Sequence, residues 1–246
     1  MPNYEEKILI ELEFWRREQL KGPSVLSDIT DKVQKKINSY IPDKVHQAIT
    51  ATIKTMVRTV LIGSEYTASP VPPKEMNLIY REALVKDKIE NYSKTGAAEG
   101  GITGAGGFLM SMADFPLLVG IKIKLLFEIA AIYGFDVKDF RERLYILYIF
   151  QLSFSSQKGA TKVYLHIEDW ENKLQILPDN SDHFDWQTFQ QEYRDYIDIA
   201  KMAQLIPIIG APIGAVVNYR LIKKLGLTAM NAYRMRVGEE FKSSRG

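Results

Sequence analysis

Cysteine is missing from all 246 residues, which excludes disulfides, iron–sulfur clusters and thiolate zinc sites and fits a reducing compartment. Histidine is scarce. His46, His166 and His183 stand far apart with no companion ligand three or four positions away, so no metal site is expected. Neither sign of charge is in excess: 32 Lys and Arg against 30 Asp and Glu leave a formal net charge of +2, too little for a global field that would draw nucleic acid. Uninterrupted apolar runs are short as well. Residues 202–219 carry no charge but include Pro207, Gly210, Pro212 and Gly214, and residues 102–121 are broken by Asp114 and Pro116. A membrane span needs about 20 predominantly apolar residues, and an acid at mid-bilayer is costly. Both segments are therefore expected as buried core helices, with a surface-inserting role left open. The acidic, amphipathic start, MPNYEEKILIELEFWRRE, lacks the basic head and apolar run of a signal peptide.

What the chain does have is helical periodicity nearly throughout. Ile8, Leu12 and Trp15 mark one face of a helix over 4–20, which Lys21-Gly22-Pro23 stops. A second helix is expected from Asp28, with Ile29, Val33, Ile37 and Tyr40 inward until Pro42. A third carries Val45, Ile49, Ile53, Met56, Val57 and Val60 and ends at Gly63. Residues 64–73 (SEYTASPVPP) read as a linker. The next helix is expected over 74–94 with Met76, Ile79, Tyr80, Ala83 and Leu84 inward. Asp114 then caps a helix from Phe115 to Tyr133, and Gly134 stops it. Asp136 is the expected cap of a helix to about Phe154. An amphipathic stretch covers 157–177, Asp185 caps a helix to about Leu205, and a last helix runs from Thr228 to Phe241. Alternating β patterns are nearly absent, so the fold class is all-α: a helical bundle with N-terminal helices over 1–63 and a core over 74–246.

Two glycine-rich stretches organise this bundle: Gly96 to Gly134, and Ile206 to Lys224. Glycine costs about 1 kcal/mol per helical position relative to alanine, so such density is tolerated only where close backbone approach repays it. Gly96, Gly100 and Gly104 recur every fourth residue, as do Gly210 and Gly214; with Gly107 they read as helix-packing positions. The two stretches are expected to be partners at the centre of the bundle, and an oligomer built through Gly210 and Gly214 is a further use of the same pattern. GITGAGG is not a phosphate loop. No strand precedes it, and no Lys-Ser or Lys-Thr follows at the spacing a P-loop needs. Ser153, Ser155 and Ser156 do not form a nucleophile elbow, so no catalytic triad and no cofactor can be assigned.

Asp114 is the single charge between Glu99 and Lys122. Besides capping a helix, it could join Glu99 in lining a polar pocket in apolar surroundings, suited to acid–base work on a hydrophobic ligand. Lys122 and Lys124 diverge on a helix, and one or both are candidates to reach water or an acidic headgroup. From Arg220 onward the chain is basic, with Arg220, Lys223, Lys224, Arg234, Arg236, Lys242 and Arg245. The stretch from Glu168 to Asp198 is acidic. The basic region could meet an anionic membrane, the two regions could complement each other across the fold, or both could be solvated faces.

The segment EGGITGAGGFLMSMADFPLLVGIKIKLLFEIAAIYGFD resembles the signature of the EcsC family, and IPIIGAPIGAVVNYRLIKKLGLTAMNAYRMR is similar to that family's C-terminal glycine motif. Matching motif positions are Glu99, Gly100, Thr103, Gly104, Gly107, Asp114, Pro116, Gly134 and Asp136, then Pro207, Gly210, Gly214 and Asn218. The resemblance implies association with an ABC transporter made of an ATPase and a membrane subunit, linked to secretion and to proteolysis within the membrane. It implies no catalytic residues. The leading expectation is a non-enzymatic accessory protein, cytoplasmic or peripheral on the inner face of the membrane. It would meet an anionic lipid surface or the transporter through Lys122, Lys124, Arg220, Lys223 and Lys224, and bind no nucleic acid. The alternative is a lipid-binding protein or hydrolase whose pocket holds Glu99 and Asp114, with Thr103 and Asn218 as further motif positions.

Overall fold

The computed structural model describes residues 4–21, 43–62, 76–105, 107–178, 183–198, 201–202 and 211–243. Helices α1 (Tyr4–Leu20), α2 (Asp43–Ile62), α3 (Leu78–Ala105), α4 (Gly107–Tyr133) and α5 (Phe140–Phe154) lead the chain. Then come α6 (Gln157–Glu168), α7 (Trp170–Leu174), α8 (Trp186–Tyr196) and α9 (Ala211–Ser243). The protein is all-α. Among the described residues the extended pairing is a single isolated bridge, Ser155 with Ile197. The helix expected from Asp28, the linker 64–73, Pro207 and Gly210 lie outside the described residues.

Two helices form the core. Along α4, from Phe115 to Tyr133, apolar side chains are buried on most sides, interrupted by Lys122, Lys124 and Glu128. α5 buries Leu144, Tyr145, Ile146, Leu147, Ile149 and Phe150 in the same manner. The amphipathic stripes pack on these two. α2 lays Val45, Ile49, Ile53, Met56, Val57 and Val60 against α4 and α5, as its periodicity predicts. α1 reaches α6 and α9 through Ile8, Leu12 and Trp15. Thr161 donates to the Gln19 carbonyl (3.0 Å), and Trp15 meets Tyr164 edge-on.

Among the described residues the most extensive helix contact runs between antiparallel α3 and α9, which carry parts of the two glycine-rich stretches. Close approach is needed at two points. A Cβ on Gly96 would lie 2.1 Å from Ile222 Cδ1, and one on Gly226 would lie 2.5 Å from Ile89 Cγ1. Gly226 was not among the expected packing glycines, because it stands alone rather than in a repeat. Gly214 is buried in the first turn of α9, Gly100 and Gly104 lie in α3, and Gly107 opens α4.

Several sequence expectations are corrected here. α3 does not end near residue 94; the helix continues through the glycine run to Ala105. Its inward face is Glu82, Val85, Ile89, Ser93 and Gly96, whereas Ile79, Tyr80 and Leu84 are exposed. That face is the one against α9: Glu82 takes the fork of the Arg234 guanidinium at 2.7 and 2.6 Å, Ile89 meets Gly226 and Gly96 meets Ile222. Asp114 is not a cap but sits inside α4, which begins at Gly107 and continues through Pro116. The good helix formers of FLMSMA carry it upstream, despite the one backbone bond that proline removes. The cap of α5 is Asp139, accepting from Arg141 N at 2.8 Å. Asp136 closes the preceding turn instead, accepting from Lys138 N. The 157–177 stretch breaks at Asp169 into α6 and α7, and the last helix starts at Ala211 rather than Thr228.

Gly134 does stop α4. Its φ is +97°, and Phe135 N to Ala130 O with Gly134 N to Ala131 O completes a Schellman motif. Asp185 caps α8 through Thr188 N, although that helix ends at Tyr196, short of Leu205.

Candidate functional site: a basic cleft beside the C-terminal end of α5

Positions 220, 223, 224, 227 and 231 share one face of α9, and positions 15, 18 and 19 share one face of α1. These faces border a cleft of about 660 Å³ together with the end of α5 and the first turn of α6. Its lining is mixed: Trp15, Leu152, Ala160 and Leu227 are apolar, Lys201, Arg220, Lys223 and Lys224 bring four positive side chains, and Glu18, Gln19, Thr228 and Asn231 are polar.

The chain forms this corner because two adjacent serines manage two helix ends. Ser155 follows α5 and donates to the Gln151 carbonyl (2.7 Å), and Ser156 caps α6 by accepting from Gly159 N (3.1 Å). Lysines satisfy carbonyls at the end of α5 and at its cap: Lys201 donates to Ser155 O, and Lys224 donates to Ser153 O at 3.3 Å. Asp198 orients the segment, accepting from Lys201 N while its own N–H reaches Phe154 O. Burial and the neighbouring Lys224 charge pull the Lys201 amine down to about 8, against the opposing pull of Asp198. Lys224 is lowered by desolvation. Lys223 lies over the Tyr219 ring at the rim, and Arg220 is exposed.

Arg220, Lys223 and Lys224 thus come together as candidate anion contacts, joined by Lys201, which sequence reasoning missed. Nothing local marks Lys201; it reaches the cleft because the chain after α8 returns past Ser155. The other two candidates are elsewhere. Lys124 is exposed on α4, but Lys122 is fully buried, so the expectation that it meets water or a headgroup is corrected. Its amine donates to Leu118 O (3.1 Å) and to Asn218 Oδ1 (3.2 Å) across the α4–α9 seam, and burial pushes its pKa down to about 7. Asn218, buried on α9, also donates to Gly214 O (3.4 Å).

The basic tail of the sequence is divided by the fold. Arg234 is taken up by Glu82 and Glu11, and Arg236 by Glu142 and Glu171 while it stacks over Phe135 and Tyr145. Arg236 with Glu171, and Arg16 with Glu168, are places where basic side chains meet the acidic 168–198 region. Glu82 was legible in one respect: it is in phase with Val85 and Ile89 at i+3 and i+7. Glu99 and Asp114 are half-buried on α3 and α4 respectively, and neither lines the basic cleft; Thr103 lies in α3. No helix among the described residues is long and apolar enough to cross a membrane.

An all-helical protein with a cation-lined cleft beside a glycine-packed helix pair is the class defined by this geometry. The chain belongs to the EcsC protein family, whose model matches residues 6–237. It is similar to the protein named EcsC of Bacillus subtilis (strain 168), with 42% identity over 226 residues, covering 92% of this chain and 93% of that relative. It is also similar to the uncharacterized protein YdbA of the same organism, 27% identical over 147 residues, covering 60% of this chain and 54% of the relative. No solved structure matches it significantly.

Proposed function

We propose that the protein is a binding accessory of an ABC exporter, working at the cytoplasmic face of the membrane without catalysis of its own. The observation that carries this reading is the convergence of Lys201, Arg220, Lys223 and Lys224 on one cleft, in a chain with a net charge of only +2. Each exposed base near an anionic surface contributes roughly 1 kcal/mol, so Arg220 and Lys223 at the mouth would draw the protein there weakly and reversibly, with Lys201 and Lys224 deeper in the cleft behind them. The apolar side chains of Trp15, Leu152 and Leu227 suit the boundary between headgroups and acyl chains. The exporter, its ATPase or its membrane subunit, is the partner that the family resemblance implies.

Flotation with vesicles tests the membrane half of the proposal. Vesicles containing phosphatidylglycerol should carry the protein upward, vesicles of phosphatidylcholine should not, and 0.5 M salt should release it. Arg220→Glu with Lys223→Glu should abolish flotation while leaving the helical circular dichroism unchanged. Absence of flotation on anionic vesicles, together with no copurification of an exporter subunit from membranes, would overturn the reading.

A further inference from the structure

The four cations of the cleft outnumber the negative groups around them, among which Glu90 holds the Tyr219 hydroxyl beside Lys223. Glu18, at the rim, is already paired with Lys21. Asp198 stands behind Lys201, and the end of α5 adds the partial negative charge of its last carbonyls, about half a unit. Capping that helix end would need one lysine. Here two are present, each with one donor on a carbonyl and two ammonium protons left over. Arg220 and Lys223 bring further donors to the same opening. The first turn of α6 also borders the cleft, and the positive end of a helix favours an anion there. Apolar side chains, Trp15, Leu152 and Leu227, line the same cleft as these groups.

We propose that the cleft is a binding site for the phosphate of an amphiphilic molecule. The phosphate sits between Lys201 and Lys224 with Arg220 and Lys223 at its mouth, and the apolar arm lies along Trp15, Leu152 and Leu227. This rests on the same cleft as the membrane-face reading but differs from it, since it requires one saturable site for a single molecule rather than attraction to a surface. The mutual repulsion that helps lower the Lys201 amine is relieved by a bound anion, so binding should take up protons in mildly alkaline buffer.

Calorimetry on the full chain tests this with dihexanoylphosphatidylglycerol held below its micellar concentration, glycerol phosphate and inorganic phosphate as separate ligands. The expected result is one site per chain, with the lipid bound at least about tenfold tighter than glycerol phosphate because of its apolar arm. Lys201→Gln with Lys224→Gln should weaken it by about tenfold or more, since charge-assisted bonds are lost, whereas Lys54→Gln on the exposed face of α2 should change nothing. If the double variant does not fold, Arg220→Gln with Lys223→Gln at the exposed mouth replaces it, with a loss of about fivefold. Equal affinity for glycerol phosphate and the lipid, an equal effect of Lys54→Gln, or no saturable binding would overturn the proposal. Binding of monomeric lipid without vesicle flotation would keep this site and remove the membrane-face reading; flotation without monomer binding would do the reverse.

Discussion

Replacing Lys122 by methionine should make the protein more stable in acid and leave it nearly unchanged in alkali. The amine is fully buried at the α4–α9 seam, and desolvation alone accounts for its fall from 10.5 to about 7. That difference corresponds to a burial cost of roughly 5 kcal/mol for the ammonium. The sign follows from counting protons. Below pH 7 both folded and unfolded chains hold the proton, so the whole cost is present; between 7 and 10.5 only the unfolded chain holds it, and stability rises with pH. The rise should be about 1.4 kcal/mol per pH unit for this group. Methionine removes the cost but strands Asn218 Oδ1, a loss of about 1–3 kcal/mol. The variant should therefore gain about 2–4 kcal/mol at pH 6 and roughly nothing at pH 9. Urea unfolding of both proteins at pH 6, 7, 8 and 9, followed by circular dichroism, reads this as a difference that shrinks with pH. A gain that is the same at every pH, or a variant less stable at pH 6, would refute the reasoning.

Two further outcomes follow from the α3–α9 contact. Glu82→Gln should destabilise the protein by up to about 3 kcal/mol, the low end for a broken buried pair because Glu11 still meets the Arg234 guanidinium, while Glu82→Met with Arg234→Met should cost less; thermal melts of the two variants and the parent protein decide it. Gly226→Ala should lose about 1–2 kcal/mol, since its Cβ would press on the Cγ1 of a buried Ile89, whereas Gly96→Ala should lose less: its Cβ overlaps only the terminal methyl of Ile222, which can turn away at part of the cost, and alanine regains helix propensity. Equal melting shifts for the two glycines would contradict this account of the packing.

Helical class, the Gly134 stop and the inward stripes of α1 and α2 were legible in the residues, because they depend on periodicity and on local backbone chemistry. Gly134 is the clearest instance: a left-handed residue at the end of an apolar helix is a local event. The face of α3 was not legible. Ile79, Tyr80 and Leu84 form a respectable apolar stripe, yet the buried face is the one carrying Glu82, Ile89 and Gly96, whose partners Arg234, Gly226 and Ile222 lie far along the chain. Asp114 misled for a related reason. A cap and an interior acid look alike until the upstream run is known to be helical, and Pro116 made a start there look natural.

The candidate site was half readable. Arg220, Lys223 and Lys224 share a helix face, so their grouping is a matter of spacing, and the sequence by itself determined it. Which cations remain available was decided only by tertiary structure. Arg234 and Arg236 look identical to Arg220 on paper, but each finds a buried carboxylate from a distant helix, and Lys122 vanishes into the α4–α9 seam. Lys201 joins the cleft through a chain return that no local pattern encodes. Periodicity specifies which side of a helix a residue occupies; which partner that side meets depends on packing between elements far apart in the chain, and there the free charge of this protein is set.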